Sequence, residues 1–241
     1  MIYVIGIGPG NEEYMTYECK EAIKDSEIIV GYKTYINLVK DLISDKQVIE
    51  NGMKKEMERC KKAIEEAKKG KKVAVISSGD AGIYGMAGLI LELVSKEEEK
   101  IEVKVVTGVT SSIQAASVLG APLMHDFCHI SLSDLLTPWD LIKKRVKLAA
   151  EGDFVICFYN PRSKGRPDNL KIAFEIMSEY KDLDTPVGIV KNAGRENEEK
   201  IITTIDDIDF EDVDMTTMVI VGNNTTFISN GKMITKRGYE I

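Results

Sequence analysis

Met1-Ile-Tyr-Val-Ile-Gly-Ile-Gly-Pro-Gly10 is a short apolar run that ends in a cluster of glycine and proline. An Ile- and Val-rich run of this length, bounded by such residues, is typical of a buried strand. The polar segment after it leads into a predicted helix at residues 16–24. A strand, a glycine-rich turn and a helix in this order predict an α/β unit that holds a small molecule at the carboxyl end of the strand.

The first turn does not have the spacing of a dinucleotide-binding fingerprint. Gly6, Gly8 and Gly10 give G-x-G-x-G, whereas that fingerprint requires G-x-G-x-x-G. Pro9 also has no backbone N–H to donate to a phosphate. The turn is therefore interpreted as a stiff surface with few side chains against which a ligand can lie. An ordinary strand-ending turn remains the alternative, because a lone glycine motif is weak evidence.

The composition narrows the class of protein. The 241 residues allow one large or two small domains, and the formal net charge of -7 argues against a general nucleic-acid or membrane-surface binder. No apolar run approaches the roughly 18 residues that span a bilayer, and no signal peptide is recognisable, so we expect a cytoplasmic protein. Four scattered cysteines and two histidines predict free thiols and no metal centre.

In the first half of the chain strands alternate with helices, which predicts a mostly parallel sheet there, and we expect α/β architecture in both halves. Strands are predicted at residues 27–30, 73–76, 101–106, 153–158, 186–190, 201–205 and 218–221, and helices at 56–69, 85–95, 139–150 and 169–180. Residues 120–138 are polar without a clear period, which predicts a long functional loop or a domain crossing. The chain is divided into an N-terminal α/β domain, residues 1–112, and a C-terminal α/β domain, residues 113–241.

Small or polar turns end three predicted strands of the first domain. We expect these turns to gather at one edge of the sheet, where open α/β folds bind ligands. Asp80 follows a glycine, and its carboxylate suits ribose hydroxyls or a cationic group. The alternative is that Asp80 is the N-cap of a helix beginning near Tyr84. Thr110 and Ser111 are likewise either ligand contacts or helix caps.

Together, the three turns resemble the motifs of the tetrapyrrole methylases in order and spacing: Gly6-Ile-Gly-Pro-Gly10, Ser77-Ser-Gly-Asp-Ala-Gly-Ile-Tyr84 and Thr107-Gly-Val-Thr-Ser111. Four further stretches resemble the members of that family that methylate C17 of precorrin-3B or cobalt-factor III and contract the ring. They are Gly120-Ala-Pro-Leu-Met-His-Asp-Phe127, Ile130-Ser-Leu-Ser-Asp-Leu-Leu-Thr-Pro-Trp139, Asp153-Phe-Val-Ile-Cys-Phe-Tyr-Asn-Pro-Arg-Ser163 and Thr235-Lys-Arg-Gly-Tyr239.

The resemblance implies two α/β domains with a ligand cleft between them, a homodimer, and S-adenosylmethionine as the methyl donor for a tetrapyrrole. Nucleic acid and membrane partners are not implied. The implied cofactor contacts in the first domain are Pro9, Ser78, Gly79, Asp80, Ile83, Thr110 and Ser111. Those in the second domain are Tyr159, Asn160, Ala193 and Thr217. The resemblance implies that Ala193 and Thr217 contact adenine through backbone atoms. Asn160 lies where many relatives have methionine, so the role of its side chain stays open.

The chemistry explains which side chains to look for. A methyl group on a sulfonium needs alignment more than an activated protein nucleophile. Ring contraction, in contrast, requires a substrate carboxylate to close a lactone and proton transfers nearby. The candidates for those transfers lie in the predicted long loop: His125, Asp126, His129, Ser131, Ser133 and Asp134. For each of them alone, a structural hydrogen bond is an equally good interpretation.

A small basic cluster interrupts an acidic sequence at Arg162, Lys164 and Arg166. Arginine binds carboxylates in bidentate fashion, so this cluster is predicted to hold the carboxylates of the macrocycle, with a solvated loop as the alternative. Three other functions stay open: a methylase acting on another corrin carbon, a nicotinamide-dependent oxidoreductase, and a nucleotide-binding module without catalysis.

Overall fold

The computed structural model describes residues 1–52 and 55–240, and the chain divides into two units, Met1–Ser111 and Ser112–Ile241. The predicted domain boundary at residue 112 lies one residue from this division. That each unit is a separate domain in the folding sense remains a proposal. None of the helices in the described part of the chain has the length and hydropathy that crossing a bilayer requires.

Unit 1 is built around a five-stranded parallel sheet in the order β3-β2-β4-β1-β5. Its strands are β1 (Ile2–Gly6), β2 (Ile28–Tyr32), β3 (Gln47–Asn51), β4 (Val73–Ser77) and β5 (Val103–Val106). Its helices are α1 (Tyr17–Asp25), α2 (Lys33–Leu38), α3 (Glu56–Lys68) and α4 (Ala87–Val94), and α5 (Ser111–Leu119) leads into unit 2. This confirms the α/β fold class and the parallel sheet predicted for the first half.

Both faces of this sheet are buried, as the continuous apolar strands require. Side chains of one strand alternate between the two faces. Val73 and Val75 of β4 pack in a cluster with residues of α3 and α4, whereas Ala74 and Ile76 pack with residues of α1 and α2. Strand β3 was not predicted, because it is an edge strand whose residues are exposed or only half-buried and show no apolar run.

Unit 2 contains a five-stranded sheet in the order β10-β9-β11-β8-β7 and a small sheet in the order β12-β13-β6. Its strands are β6 (Gly120–Ala121), β7 (Phe127–Ser131), β8 (Val155–Tyr159), β9 (Pro186–Lys191), β10 (Glu199–Thr204), β11 (Thr217–Val221), β12 (Thr226–Ser229) and β13 (Lys232–Thr235). Its own helices are α6 (Trp139–Glu151) and α7 (Asn169–Met177). Ile156 and Phe158 of β8 face the cluster that includes α6 and α7, and Val155 and Cys157 face the one that includes α5.

One prediction for the second half is wrong. Residues 120–138 are not one long loop, because they contain β6 and β7; the polar residues of β7 hide its strand character. The larger sheet is mixed, since only β7 and β8 run parallel among its hydrogen-bonded pairs. The strands β9, β10 and β11 follow one another without an α-helix between them, so no helical crossover keeps them parallel.

Candidate functional site

The three predicted turns of unit 1 follow the adjacent strands β4, β1 and β5, and they interlock through backbone atoms. Gly8 and Gly79 exchange two backbone hydrogen bonds, with N–O distances of 3.1 and 2.7 Å. A Cβ on Gly6 would lie 2.7 Å from the carbonyl oxygen of Gly79 and 2.8 Å from the nitrogen of Gly108. Glycine is therefore required here because three segments of the chain approach one another closely. The turns form one edge of the sheet, as predicted.

Asp80 links two of these turns. Its Oδ1 accepts a hydrogen bond from the N–H of Gly82 at 2.8 Å, and its Oδ2 accepts one from the N–H of Gly108 at 3.0 Å. The alternative interpretation as the N-cap of the next helix is wrong, because Met86 holds that position in α4. Each carboxylate oxygen retains a second lone pair, and the residue is half-buried, so Asp80 can accept a further hydrogen bond from a ligand hydroxyl.

The other cofactor residues predicted in unit 1 lie in the same three turns. Pro9 and Thr110 are buried, and Ser78, Ile83 and Ser111 are partly exposed. Gly79 has a φ of +69°, and a Cβ on it would lie 3.7 Å from the Cα of Thr110. The structure thus brings the turn of Ser78 and Gly79 against the start of α5. A ligand here would meet a surface made mainly of backbone, with one carboxylate.

The predicted residues of unit 2 also share one edge of a sheet. In the strand register, Ser131 pairs with Tyr159, and Lys191 pairs with Thr217. Strand β11 starts beside the end of β8, because Val219 pairs with Phe158. The ends of β7, β8 and β9 and the start of β11 therefore coincide. This edge holds five predicted site residues: Ser131, Tyr159, Asn160, Ala193 and Thr217.

The six acid–base candidates are not one group. His125 and Asp126 are exposed and lie just before β7, at the opposite end of the strand from Ser131. Five residues of strand extend about 13 Å from the first Cα to the last. Ser131 Oγ accepts a hydrogen bond from Asn160 Nδ2 at 2.9 Å, so Ser131 belongs to the edge described above and His125 and Asp126 do not.

His129 points into unit 2 and meets a residue that was not predicted. Its Nε2 lies 2.9 Å from Oγ of Ser112, and the Tyr159 hydroxyl donates to the same Oγ at 3.0 Å. Burial lowers the pKa of His129 below its ordinary value. Ser112 was not singled out, because a serine at the start of a helix resembles a cap. Its partners lie 17 and 47 residues away in sequence.

The three basic candidates have different surroundings. Arg162 donates to the carbonyl oxygen of Phe210 at 2.8 Å and pairs with Glu211, so its guanidinium already has an acidic partner. Arg166 donates from Nη1 to Oγ of Ser133 at 2.6 Å. Asp134 lies 3.9 Å from the same nitrogen, and Nε of Arg166 is buried without a hydrogen-bond partner among the described residues. Lys164 is exposed.

Neither a metal cluster nor a reactive thiol is found in residues 1–52 and 55–240. No three His, Cys, Asp or Glu side chains there are grouped so that they could hold a metal ion. All four cysteines are free, and burial raises the pKa of Cys19 to about 12 and of Cys60 and Cys128 to about 11. Thiols with such pKa values are protonated at neutral pH and are poor nucleophiles.

The comparisons with known proteins identify the family and the fold of this chain. The family model of the tetrapyrrole (corrin/porphyrin) methylases matches residues 1–209. A protein of Salmonella typhimurium named probable cobalt-factor III C(17)-methyltransferase is 62% identical over 241 residues, all of both chains. A precorrin-3B C(17)-methyltransferase of Sinorhizobium sp. is 38% identical over 94% of this chain and 90% of its own. A crystal structure of the methyltransferase CobJ superposes with a TM-score of 0.92 at 33% identity, covering 98% of this chain and 99% of the other.

Proposed function

Because the chain belongs to the tetrapyrrole (corrin/porphyrin) methylases, we propose that it methylates C17 of cobalt-factor III, or of precorrin-3B, with ring contraction in cobalamin synthesis. The family and the fold class inferred from the motifs are confirmed by the family model and the CobJ structure. The observation that carries the proposal is 62% identity over the whole of both chains to the Salmonella protein. The lower identity to the Sinorhizobium protein favours the cobalt-bearing substrate.

S-adenosylmethionine is the proposed cofactor, and the turns of unit 1 fit it. When bound, it supplies a methyl group activated on a sulfonium. The three closely packed turns present mainly backbone, and the half-buried Asp80 carboxylate suits the ribose hydroxyls or the cationic methionine part. Pro9, Thr110 and Ser111 line the same turns. Tyr159, Asn160, Ala193 and Thr217 stay proposed contacts on the strength of the family resemblance.

Arg166 is the strongest of the three candidates for binding a substrate carboxylate. Its side chain is only 11% exposed, and one of its N–H groups has no partner in the described part of the chain. A carboxylate of the macrocycle would satisfy that donor and replace the distant Asp134 as the counter-charge. Arg162 already pairs with Glu211, so it offers less to a ligand. Ser133 contacts Arg166 and positions its guanidinium.

His129 is the proposed residue for proton transfer in ring contraction. Its lowered pKa keeps the imidazole neutral at neutral pH, so it can accept a proton from the substrate and then return it as the imidazolium. Asp126 and His125 are exposed at the other end of β7, and they are weaker candidates. Ser131 and Asp134 remain candidates for hydrogen bonds to the substrate.

Three alternative functions were left open by the sequence. A methylase of the same pathway that acts on another carbon would have the same cofactor turns, so only the product distinguishes it. A nicotinamide-dependent oxidoreductase is disfavoured by the missing fingerprint spacing and by Pro9. A nucleotide-binding module without catalysis would not require the buried contact between Arg166 and Ser133.

We also propose a cytoplasmic homodimer, and light scattering at micromolar concentration that showed a monomer would contradict the dimer.

The test is an anaerobic incubation of the protein with isotope-labelled S-adenosylmethionine and either cobalt-factor III or precorrin-3B. Mass spectrometry should show one added labelled methyl group, and NMR of the product should place it at C17 of a contracted ring. Calorimetry should detect binding of S-adenosylhomocysteine and should detect no binding of NAD. Arg166→Gln should weaken macrocycle binding without changing the affinity for S-adenosylhomocysteine, with Arg162→Gln as the matched control. Methylation at another carbon, or of neither substrate, would overturn the proposal.

A further inference from the structure

Three polar side chains of unit 2 form a continuous hydrogen-bonded chain. The Tyr159 hydroxyl donates to Ser112 Oγ at 3.0 Å, and Ser112 Oγ lies 2.9 Å from Nε2 of His129. Ser112 is fully buried. The rings of Tyr159 and Phe127 flank the imidazole, with centroid distances of 5.1 and 5.7 Å. The imidazole is therefore held by two rings and one hydroxyl.

The serine hydroxyl would select one tautomer of the neutral imidazole by donating its hydrogen to it. A hydroxyl has one hydrogen to donate and two lone pairs that accept. Because Tyr159 donates to Ser112 Oγ, the Ser112 hydrogen is available for Nε2 of His129. A neutral imidazole whose Nε2 accepts a hydrogen bond carries its proton on Nδ1. Burial lowers the pKa of His129, so the neutral ring is the one present at neutral pH.

The fold itself does not require this polar chain. His129 pairs in register with Cys157, which belongs to an apolar cluster with Ala115 and Leu119 of α5. Buried polar networks seldom add stability over apolar packing of the same volume, and they define geometry instead. The chain of Tyr159, Ser112 and His129 is thus better explained by a need for a fixed imidazole.

We propose that Ser112 is a positioning residue that fixes the ring of His129 and keeps its proton on Nδ1. The proton transfers assigned above to His129 would then start from one defined tautomer. This inference deepens the proposed function and rests on it for the role of His129. The tautomer itself is a property of unit 2 that can be measured without substrate.

The test uses the fact that the chain has two histidines, His125 and His129. In protein labelled with ¹⁵N-histidine, the variant His125→Gln leaves the signals of one imidazole. NMR near pH 7.5 should show a protonated Nδ1 and an unprotonated Nε2. Adding Ser112→Ala should give a mixture of tautomers, and Ser112→Thr, which keeps the hydroxyl, should restore the single form. A proton on Nε2 in the parent, or the same tautomer population in Ser112→Ala, would overturn the proposal.

Activity then separates the two hypotheses. In chains that retain both histidines, Ser112→Ala should lower turnover to the ring-contracted product about 100-fold, the low end of what a misplaced acid–base group costs. The KM for the tetrapyrrole and the affinity for S-adenosylhomocysteine should stay within about twofold, because Ser112 is not itself a proposed ligand contact and acts through Tyr159 and His129. If neither tetrapyrrole is methylated by the parent, the proposed function fails while the NMR result stands. If the parent is active and Ser112→Ala is equally active, only the role of Ser112 fails.

Discussion

Replacing Gly108 by alanine tests the backbone packing of the three turns in unit 1. A Cβ at this position would lie 2.2 Å from the carbonyl oxygen of Gly79 and 2.5 Å from that of Gly6. These atoms cannot move easily, because Gly79 exchanges two hydrogen bonds with Gly8 and Gly6 ends a buried strand. The N–H of Gly108 also donates to Asp80, so any shift of this segment strains that bond.

The expected loss of unfolding free energy combines these two effects. Forcing an extra carbon into a close-packed site costs about 1–3 kcal/mol. Weakening a hydrogen bond to a carboxylate adds about 1.5 kcal/mol. We therefore expect Gly108→Ala to destabilise unit 1 by about 3–4 kcal/mol. The same substitution at Gly88, in α4 with no atom within 4 Å of the added carbon, should stabilise by up to about 1 kcal/mol.

Urea unfolding followed by two signals measures both variants. Far-UV circular dichroism reports on the whole chain, and the single tryptophan, Trp139, reports on unit 2. Gly108→Ala should lower the midpoint of the dichroism transition and weaken binding of S-adenosylhomocysteine in calorimetry. Gly88→Ala should raise that midpoint slightly and leave binding unchanged. Equal stability of the two variants would refute the claim that the glycine turns are packed too closely for a side chain.

Three further predictions concern charged groups. Asp80→Ala should weaken S-adenosylhomocysteine binding by about 1–3 kcal/mol in calorimetry, because a buried acceptor is lost; unchanged affinity would remove Asp80 from the site. Since burial lowers the pKa of His129, the urea-measured unfolding free energy should fall as the pH drops below about 6.5, and His129→Gln should reduce that fall. The side chain of Lys181 is 1% exposed, and its Nζ pairs with Oδ1 of Asp153 at 3.0 Å. Asp153→Asn should therefore lower the unfolding free energy by about 2 kcal/mol, because it leaves a buried charge unpaired. Lys181→Met should leave the thermal unfolding midpoint nearly unchanged.

The fold of unit 1 could be predicted from sequence because its signals are local. Strands β1 and β4 are continuous apolar runs; β1 ends at Gly6, and β4 ends at Ser77, two residues before Gly79. Both faces of the sheet are covered, so each run stands out from the helices around it. Strand β3 lies at the sheet edge with half of its surface in solvent, and it was missed for that reason. Strands β12 and β13 are four residues each, too short to show a period.

The site in unit 2 was predicted only in part, because its contacts join distant parts of the chain. His125 and His129 are neighbours in sequence, and the prediction of one loop grouped them together. His125 lies before β7 and is exposed, whereas His129 lies in the middle of the strand and reaches Ser112. The pairing of Arg166 with Ser133, 33 residues apart, carries no signal in local composition or periodicity either. Family resemblance identified the stretches, and the strand register shows which of their residues meet.

The two sheet edges are built by different means, and this predicts how substitutions act on them. In unit 1 the shape of the turns depends on the absence of side chains, so a change at Gly6 or Gly108 must move backbone. In unit 2 the contacts of Ser133 with Arg166 and of Ser131 with Asn160 join side chains, which can be exchanged while the strands keep their places. Substrate preference should therefore respond to unit 2. Ser133→Ala should change the ratio of turnover on cobalt-factor III to that on precorrin-3B, while calorimetry shows the same affinity for S-adenosylhomocysteine. If Ser133→Ala also weakened binding of S-adenosylhomocysteine, Ser133 would affect both ligands. The claim that substitutions in unit 2 act on the substrate alone would then be refuted.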